Sequence, residues 1–306
     1  MSLSEVALAL DWSLNTNHTG FVVAEALGFY KEVGLRLALL PYVDQPTAAK
    51  RVLAGDAYVG LGPQETVIAY AASPTPLLAL AAVNAHNPSA LAVLADGPIL
   101  RPRDLDGTRY ASYGARFEMH VVRQIVRADG GQGDVEERVL PKPTVPDALL
   151  TGHADSTWVF PAWEGAEAEL RGRPLRYFLV RDYGVPDLYT PVLFSSLRFT
   201  REEPERLRAF VRATARGFEL AAAEPEQAAA VLVEAYPELN ADLVRRSQPL
   251  ASPAYCDAGE PWGIIDAEIW SGYGRYLYAH GFVTGRGGET LLEPDWDALH
   301  TTEFLK

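Results

Sequence analysis

Val6-Ala7-Leu8-Ala9-Leu10-Asp11-Trp12-Ser13-Leu14-Asn15-Thr16-Asn17-His18-Thr19-Gly20 holds a strand, a polar loop and the start of a helix. Val6–Leu10 has the length and apolar content of a buried strand, and Gly20–Val33 reads as the helix that follows it. A strand ending in Asp-Trp that passes through an Asn/Thr/His loop presents amides, hydroxyls and one indole face at a helix N-terminus. Those are the groups that hold a planar polar ring. The competing explanation is that Asn17 and Thr19 only cap the helix while Trp12 packs in the core. Capping needs one such residue, and the loop supplies five in succession, Asn15 to Thr19.

Outward from this loop the chain keeps the same rhythm. Leu35–Tyr42 and Ala57–Gly62 read as strands, and Gln45–Ala54 and Glu65–Ala72 as helices. A second unit starts near Leu91, with strands over Ala90–Ala95, Arg109–Ser112, Glu136–Leu140 and Asp155–Phe160. Its helices are Phe117–Ala128 and Val145–Thr151, and Pro102–Asp106 is a turn. From about Leu193 the pattern becomes mainly helical, with Glu203–Glu224 opened by Pro204, Glu226–Tyr236 restarted by Pro225, and Trp262–His280. Alternating strands and helices predict an α/β protein with mostly parallel sheets, whose strand ends and following helix N-termini surround one ligand cleft.

Composition narrows the function classes. The 306 residues are 48% hydrophobic and 22% charged, enough for a sizeable core and for two lobes. Apolar runs such as Leu77–Val83 fall far short of the roughly 20 residues that cross a bilayer, so no membrane span is expected. A net charge of -13 repels nucleic acid and anionic membrane surfaces. Met1-Ser2-Leu3-Ser4 runs directly into the first strand without the features of a signal peptide. An extracytoplasmic location would therefore call for a signal or lipid anchor outside this sequence. The single cysteine, Cys256, excludes an internal disulfide, and the six histidines lack the spacing of a metal centre, so neither metal nor cofactor is expected. Gly130-Gly131-Gln132-Gly133 ends a helix, and Gly285-Arg286-Gly287-Gly288 reads as a turn, without the lysine and hydroxyl of a phosphate loop.

Several motifs in order carry a family resemblance. They are the Leu10–Gly20 run with Gly28-Phe29-Tyr30, Gly60-Leu61-Gly62-Pro63-Gln64-Glu65, and Pro102-Arg103-Asp104-Leu105-Asp106-Gly107. Asp182-Tyr183-Gly184-Val185-Pro186-Asp187 with Tyr189-Thr190-Pro191, Ser247-Gln248, Trp262-Gly263 and Trp270 complete the set. Nearly the whole chain resembles the family that contains thiamine-pyrimidine-precursor binding proteins of ABC importers and the yeast-type pyrimidine synthase of thiamine biosynthesis. The resemblance implies the type-two periplasmic-binding-protein fold: two α/β lobes joined by two crossing strands, with the ligand between them. Lobe one would comprise residues 1–88 and 194–306, and lobe two residues 89–193.

The synthase branch of that family carries Gly-Leu-Lys-x-x-x-His after the second helix. Here Gly62 stands at the lysine position and Thr66 at the histidine position, so neither the amine that would engage pyridoxal phosphate nor the imidazole is supplied. The synthases' cysteine cluster is also missing. The resemblance therefore implies a binder rather than an enzyme.

Aromatic residues near predicted strand ends are the candidate ring contacts: Trp12, Tyr113 and Trp158 first, then Phe160, Trp163, Tyr183 and Tyr189. Each stacked pair contributes on the order of 1 kcal/mol beyond area burial. The polar candidates are Asn17, His18, Gln64, Glu65, Glu118 and Tyr189. A diazine bearing an exocyclic amine needs an acceptor for its N–H, which Glu65 or Glu118 would provide unless they are solvated first-turn residues. The Tyr113–Glu118 stretch has a single glycine where relatives have a glycine-rich loop, and Arg116 is its only cation. The expected cargo is a small heterocycle, a thiamine-related pyrimidine of the formylaminopyrimidine type, delivered to an ABC transporter permease. The alternatives are riboflavin or another flat vitamin, and, from a different class, a cytoplasmic pyrimidine-forming enzyme.

Overall fold

Ten strands form two separate five-stranded sheets in the computed structural model, which describes residues 3–284 and 291–306. The Gly285–Gly288 turn expected from the sequence lies outside the described residues. The chain divides into two compact units, one made of Met1–His86 with Leu188–Lys306 and the other of Asn87–Asp187.

In the first unit the strands are β1 (Ser4–Ala9), β2 (Leu35–Leu40), β3 (Val59–Gly62), β4 (Leu77–Ala82) and β10 (Val192–Ser196). Their order is β2-β1-β3-β10-β4. In the second unit β5 (Ala90–Leu94), β6 (Arg109–Ser112), β7 (Glu136–Val139), β8 (Ser156–Val159) and β9 (Leu175–Leu179) are ordered β7-β6-β8-β5-β9. β10 runs antiparallel to both β3 and β4, and β5 antiparallel to both β8 and β9. In each sheet four strands therefore share one direction, and the reversed strand is the first one after the chain changes unit. The boundary expected at 193/194 would cut β10, which lies wholly in the first unit.

The helices in chain order are α1 (Thr19–Ala26), α2 (Phe29–Glu32), α3 (Ala48–Ala54), α4 (Gln64–Ile68), α5 (Glu118–Ala128), α6 (Val145–Leu150), α7 (Ala166–Leu170), α8 (Leu197–Glu202), α9 (Pro204–Ala223), α10 (Pro225–Ala235), α11 (Ala241–Ala251) and α12 (Ala267–Ala279). The single helix expected over Gly20–Val33 is two, because Gly28 takes φ 79°, a left-handed conformation that ends one helix and redirects the chain into the next. Elements absent from the sequence reading include β4, β9, β10, α7 and α11, three of which show why. β4 is buried along its whole length and so shows no polar alternation. β10, also buried throughout, lies just where the pattern was expected to turn helical. α11 is started by Asn240, whose side chain accepts hydrogen bonds from the Asp242 and Leu243 amides.

α9 buries Leu207, Phe210, Val211, Thr214, Phe218 and Ala221, the three-and-four spacing of one helix face. Its partner is α1, buried from Thr19 to Ala24. The two backbones touch: a β-carbon on Gly217 would lie 2.0 Å from the Gly20 carbonyl oxygen, and one on Gly20 would lie 2.2 Å from the Phe218 ring. Phe218 stacks on Trp262 at 4.5 Å and meets Phe21 and Tyr255 edge-on. This aromatic cluster anchors the helix that begins at the polar Asn15–Thr19 loop.

Candidate functional site

In both units the predicted site residues gather at or just beyond the carboxyl edge of the parallel strands, where a ligand meets helix N-termini and free backbone groups. In the first unit β1 ends at Ala9, and the chain continues through Asp11 and Trp12 into a 3-10 turn over Thr16–His18. Asn15 caps this turn. Its side-chain oxygen accepts from the Asn17 amide at 2.8 Å, and its own amide donates to His18 Nδ1 at 3.0 Å. An imidazole that accepts at Nδ1 is the neutral Nε2–H tautomer. That N–H faces the Asp11 carboxylate, 3.8 Å away. The cap is thus Asn15 rather than Asn17 or Thr19. Half-buried Asn17 keeps its side chain at the edge, with its oxygen 3.4 Å from Asn84 Nδ2. Trp12 is half-buried with its ring 5.7 Å from that of Tyr42.

Gln64, Glu65 and Tyr189 stand beside this loop on α4 and the segment before β10. Gln64 is 0% exposed; it accepts from the Tyr189 amide at 3.1 Å and donates to the Trp270 carbonyl at 2.7 Å. The Tyr189 hydroxyl accepts from the Asp266 amide at 2.9 Å, and its ring is buried. Both side chains expected to contact ligand therefore brace the framework, tying α4 and the approach to β10 to the start of α12. Glu65 differs. The Tyr273 hydroxyl donates to its Oε1, while Oε2 is buried without a hydrogen-bond partner. Burial pushes the carboxyl up to about 7, against the lowering effect of the Tyr273 hydrogen bond.

Gly62, the last residue of β3, takes a side chain only if Thr66 shifts. A β-carbon there would lie 2.8 Å from Thr66 Oγ1 and 3.3 Å from the Phe194 ring. Residues at the positions of the synthase lysine and histidine thus occupy each other's space, and the pocket for a Gly62 substituent is filled by Thr66.

In the second unit, Glu118 at the start of α5 accepts from the Tyr110 hydroxyl at 2.8 Å and from Ser112 Oγ and the Tyr113 and Ala115 amides at 3.1 Å. Burial raises its carboxyl, and these donors oppose the rise. With the Tyr110 hydroxyl and the Tyr113 and Ala115 amides converging on its two oxygens, and Ser112 Oγ shared with Glu137 at 2.7 Å, Glu118 shapes the Tyr113–Phe117 loop. Tyr113 donates its hydroxyl hydrogen to the Trp158 carbonyl at 2.9 Å, so the loop after β6 is fastened to β8. Both rings are half-buried at this edge. Arg116 is exposed on the loop.

One carboxylate went unrecognised in the sequence. Glu164 lies in a π-helical turn, Pro161–Gly165, immediately after β8, and is 8% exposed. It accepts from the Phe160 amide at 2.9 Å, and burial lifts its carboxyl to about 7. The available signal was a proline ending a strand followed by Trp163-Glu164, in the strand-end position that made Trp158 a candidate. Single π-turns concentrate at functional sites.

Comparison with known proteins places this architecture. The family model described as NMT1/THI5 like matches residues 15–228. The chain belongs to the NMT1/THI5-like family. Among its relatives, the formylaminopyrimidine-binding protein of Halalkalibacterium halodurans is 27% identical over 290 residues, covering 92% of this chain and 87% of that protein. The 4-amino-5-hydroxymethyl-2-methylpyrimidine phosphate synthase of Legionella pneumophila is 26% identical over 268 residues, 86% of this chain and 84% of the synthase. Among solved structures, the alkanesulfonate-binding protein SsuA of Xanthomonas axonopodis pv. citri, bound to MOPS, superposes with a TM-score of 0.71 at 14% identity, covering 94% of this chain and 96% of that one. The fold is accordingly the type-two periplasmic-binding-protein fold expected from the NMT1/THI5-like resemblance.

Proposed function

We propose that this NMT1/THI5-like protein is the substrate-binding protein of an ABC importer and captures a thiamine-related pyrimidine of the formylaminopyrimidine type. The observation that carries the choice against the synthase relatives is Gly62, where a side chain would run into Thr66 and Phe194. A lysine is missing at this point, a side chain there would require Thr66 to shift, and pyridoxal phosphate has no amine here to engage. The residues do not fit that cofactor.

What remains suits capture. Trp12 offers a half-buried indole at the edge of the first unit, and Glu65 offers a carboxyl oxygen that no protein group uses. An aminopyrimidine supplies the complement, a flat face for the indole and an N–H for the oxygen. Tyr113, Trp158 and Glu164 form a second aromatic and acidic edge in the other unit. Capture for import implies an extracytoplasmic location and a permease partner. The relative named as a formylaminopyrimidine-binding protein supports the same reading.

Calorimetric titration with formylaminopyrimidine, paired with absorbance spectra after addition of pyridoxal phosphate, tests the proposal. Binding of one pyrimidine per chain with no lysine adduct band agrees with it. Turnover to a pyrimidine product would replace it with the enzymatic alternative.

A further inference from the structure

Ser247 and Gln248 belong to the family-like motifs in the sequence, yet neither lies in the Asp11–Thr19 loop nor among the site residues. Both are 0% exposed on α11. Their side chains reach across 231 and 229 residues of sequence to the polar loop: Ser247 Oγ pairs with Thr16 Oγ1 at 2.7 Å, and Gln248 Oε1 accepts from Thr19 Oγ1 at 2.6 Å.

The directions of these bonds are fixed by their surroundings. The Tyr255 hydroxyl donates to the Thr16 carbonyl, so it accepts from Gln248 Nε2 at 2.9 Å. Ser252 Oγ donates to the Ala221 carbonyl of α9, so it accepts the second Gln248 N–H at 3.0 Å. Every polar atom of the Gln248 side chain is thereby used, and a reversed amide would set N–H against the Thr19 hydroxyl and oxygen against two acceptors. Thr16 and Thr19 turn their hydroxyls toward α11; Asn15 and His18 are buried as well, and Asn17 is half-buried. Fixing the inner pair fixes what the turn presents at its outer face.

We infer that Gln248 is a positioning residue that, with Ser247 and Tyr255, sets the conformation in which the Asn15–Thr19 turn presents Asn17 and holds the buried His18 imidazole behind it. The importance of that presentation for ligand rests on the reading of the loop as a pyrimidine contact. Gln248 touches no ligand; it acts through Thr19. Its amide cannot be replaced by an apolar side chain of similar volume without taking a hydrogen bond from three buried partners, Thr19, Ser252 and Tyr255, whereas Thr19→Ser keeps the hydroxyl that Gln248 needs.

The test compares the full chain with Gln248→Leu, Thr19→Val and Thr19→Ser. Two readouts are taken: affinity for formylaminopyrimidine, and the nitrogen-15 shifts of the His18 ring, which report the Nδ1-acceptor tautomer held by the Asn15 amide. Gln248→Leu and Thr19→Val should each weaken binding about tenfold or more and shift the His18 nitrogens, while Thr19→Ser should stay within about twofold of the parent. If Gln248→Leu does not fold, Thr19→Val carries the comparison, since it leaves the other Gln248 bonds in place. Folded variants with parental affinity and unchanged His18 signals overturn the inference. If the parent binds no pyrimidine but the His18 nitrogens still move in both variants, Gln248 stands as the positioning residue of the turn, and the pyrimidine reading is what fails.

Discussion

Tyr273 donates its hydroxyl hydrogen to one oxygen of Glu65 and leaves the other oxygen buried and bare. The donor comes from α12 and the acceptor from the first turn of α4, so a contact between two helices of the first unit decides which half of a carboxyl group is available. Buried polar groups are nearly always paired, so an oxygen left without a partner calls for an explanation, and a ligand N–H is the one proposed here.

The same oxygen makes stability depend on pH. Glu65 titrates near 7 in the folded chain against 4.5 as an ordinary carboxyl. For an acid raised on folding, the stability is fully present below the unfolded value and is lost as pH rises through the folded one. Between about pH 4.5 and 7 the parent should therefore lose stability, with Glu164 adding to the same slope. Glu65→Gln keeps an acceptor for Tyr273 and should flatten the curve, removing on the order of 3 kcal/mol of the fall between pH 4.5 and 8. Urea unfolding across that range measures it; identical slopes for parent and variant contradict the buried, unpaired carboxylate.

Glu118→Ala should be among the most damaging substitutions in the second unit. It strands the Tyr110 hydroxyl and the Tyr113 and Ala115 amides, while Ser112 keeps Glu137 as acceptor at 2.7 Å. Each unsatisfied buried group costs about 1–3 kcal/mol, so a loss of at least about 3 kcal/mol is expected, with Glu118→Gln milder. Hydrogen exchange at the Tyr113 and Ala115 amides should accelerate in Glu118→Ala; unchanged protection would show that the loop holds its shape without the carboxylate.

Gly20→Ala places a methyl group in the Phe218 ring and should cost about 1–3 kcal/mol through overpacking, with altered fluorescence from Trp262, which stacks on Phe218. A variant as stable as the parent would mean that α1 and α9 separate without cost.

Much of this was legible in the sequence, for identifiable reasons. β1 and the Asn15–Thr19 loop announce themselves because an apolar run stops abruptly at Asp11 and polar residues follow in succession. β4 and β10 did not, since a strand buried on both faces has no alternation and periodicity alone does not separate it from a helix segment. Residue type placed Gln64, Glu65, Glu118 and Tyr189 at strand ends, which is where they are. It did not reveal that Gln64 and Tyr189 bond to backbone and Glu118 to the Tyr110 hydroxyl and the Tyr113 and Ala115 amides, because those partners are fixed by tertiary approach. Glu164 was missed because a π-turn has no sequence periodicity of its own.

Trp12 and Glu65 together test the ligand assignment most directly. Trp12→Ala should weaken every flat ligand by about 2 kcal/mol or more, since it removes a stacking face irrespective of ring substituents. Glu65→Gln should cost about 1.5–3 kcal/mol only for ligands that offer an N–H to Oε2. The decisive measurement is calorimetric titration, at pH 8, of the parent and Glu65→Gln with formylaminopyrimidine and with an analogue lacking the ring amine. The account predicts tight one-to-one binding of the aminopyrimidine by the parent, roughly tenfold or greater weakening in Glu65→Gln, and no effect of the substitution on the analogue. Equal affinities of parent and variant for both ligands, or no binding of either ligand by the parent, would contradict it.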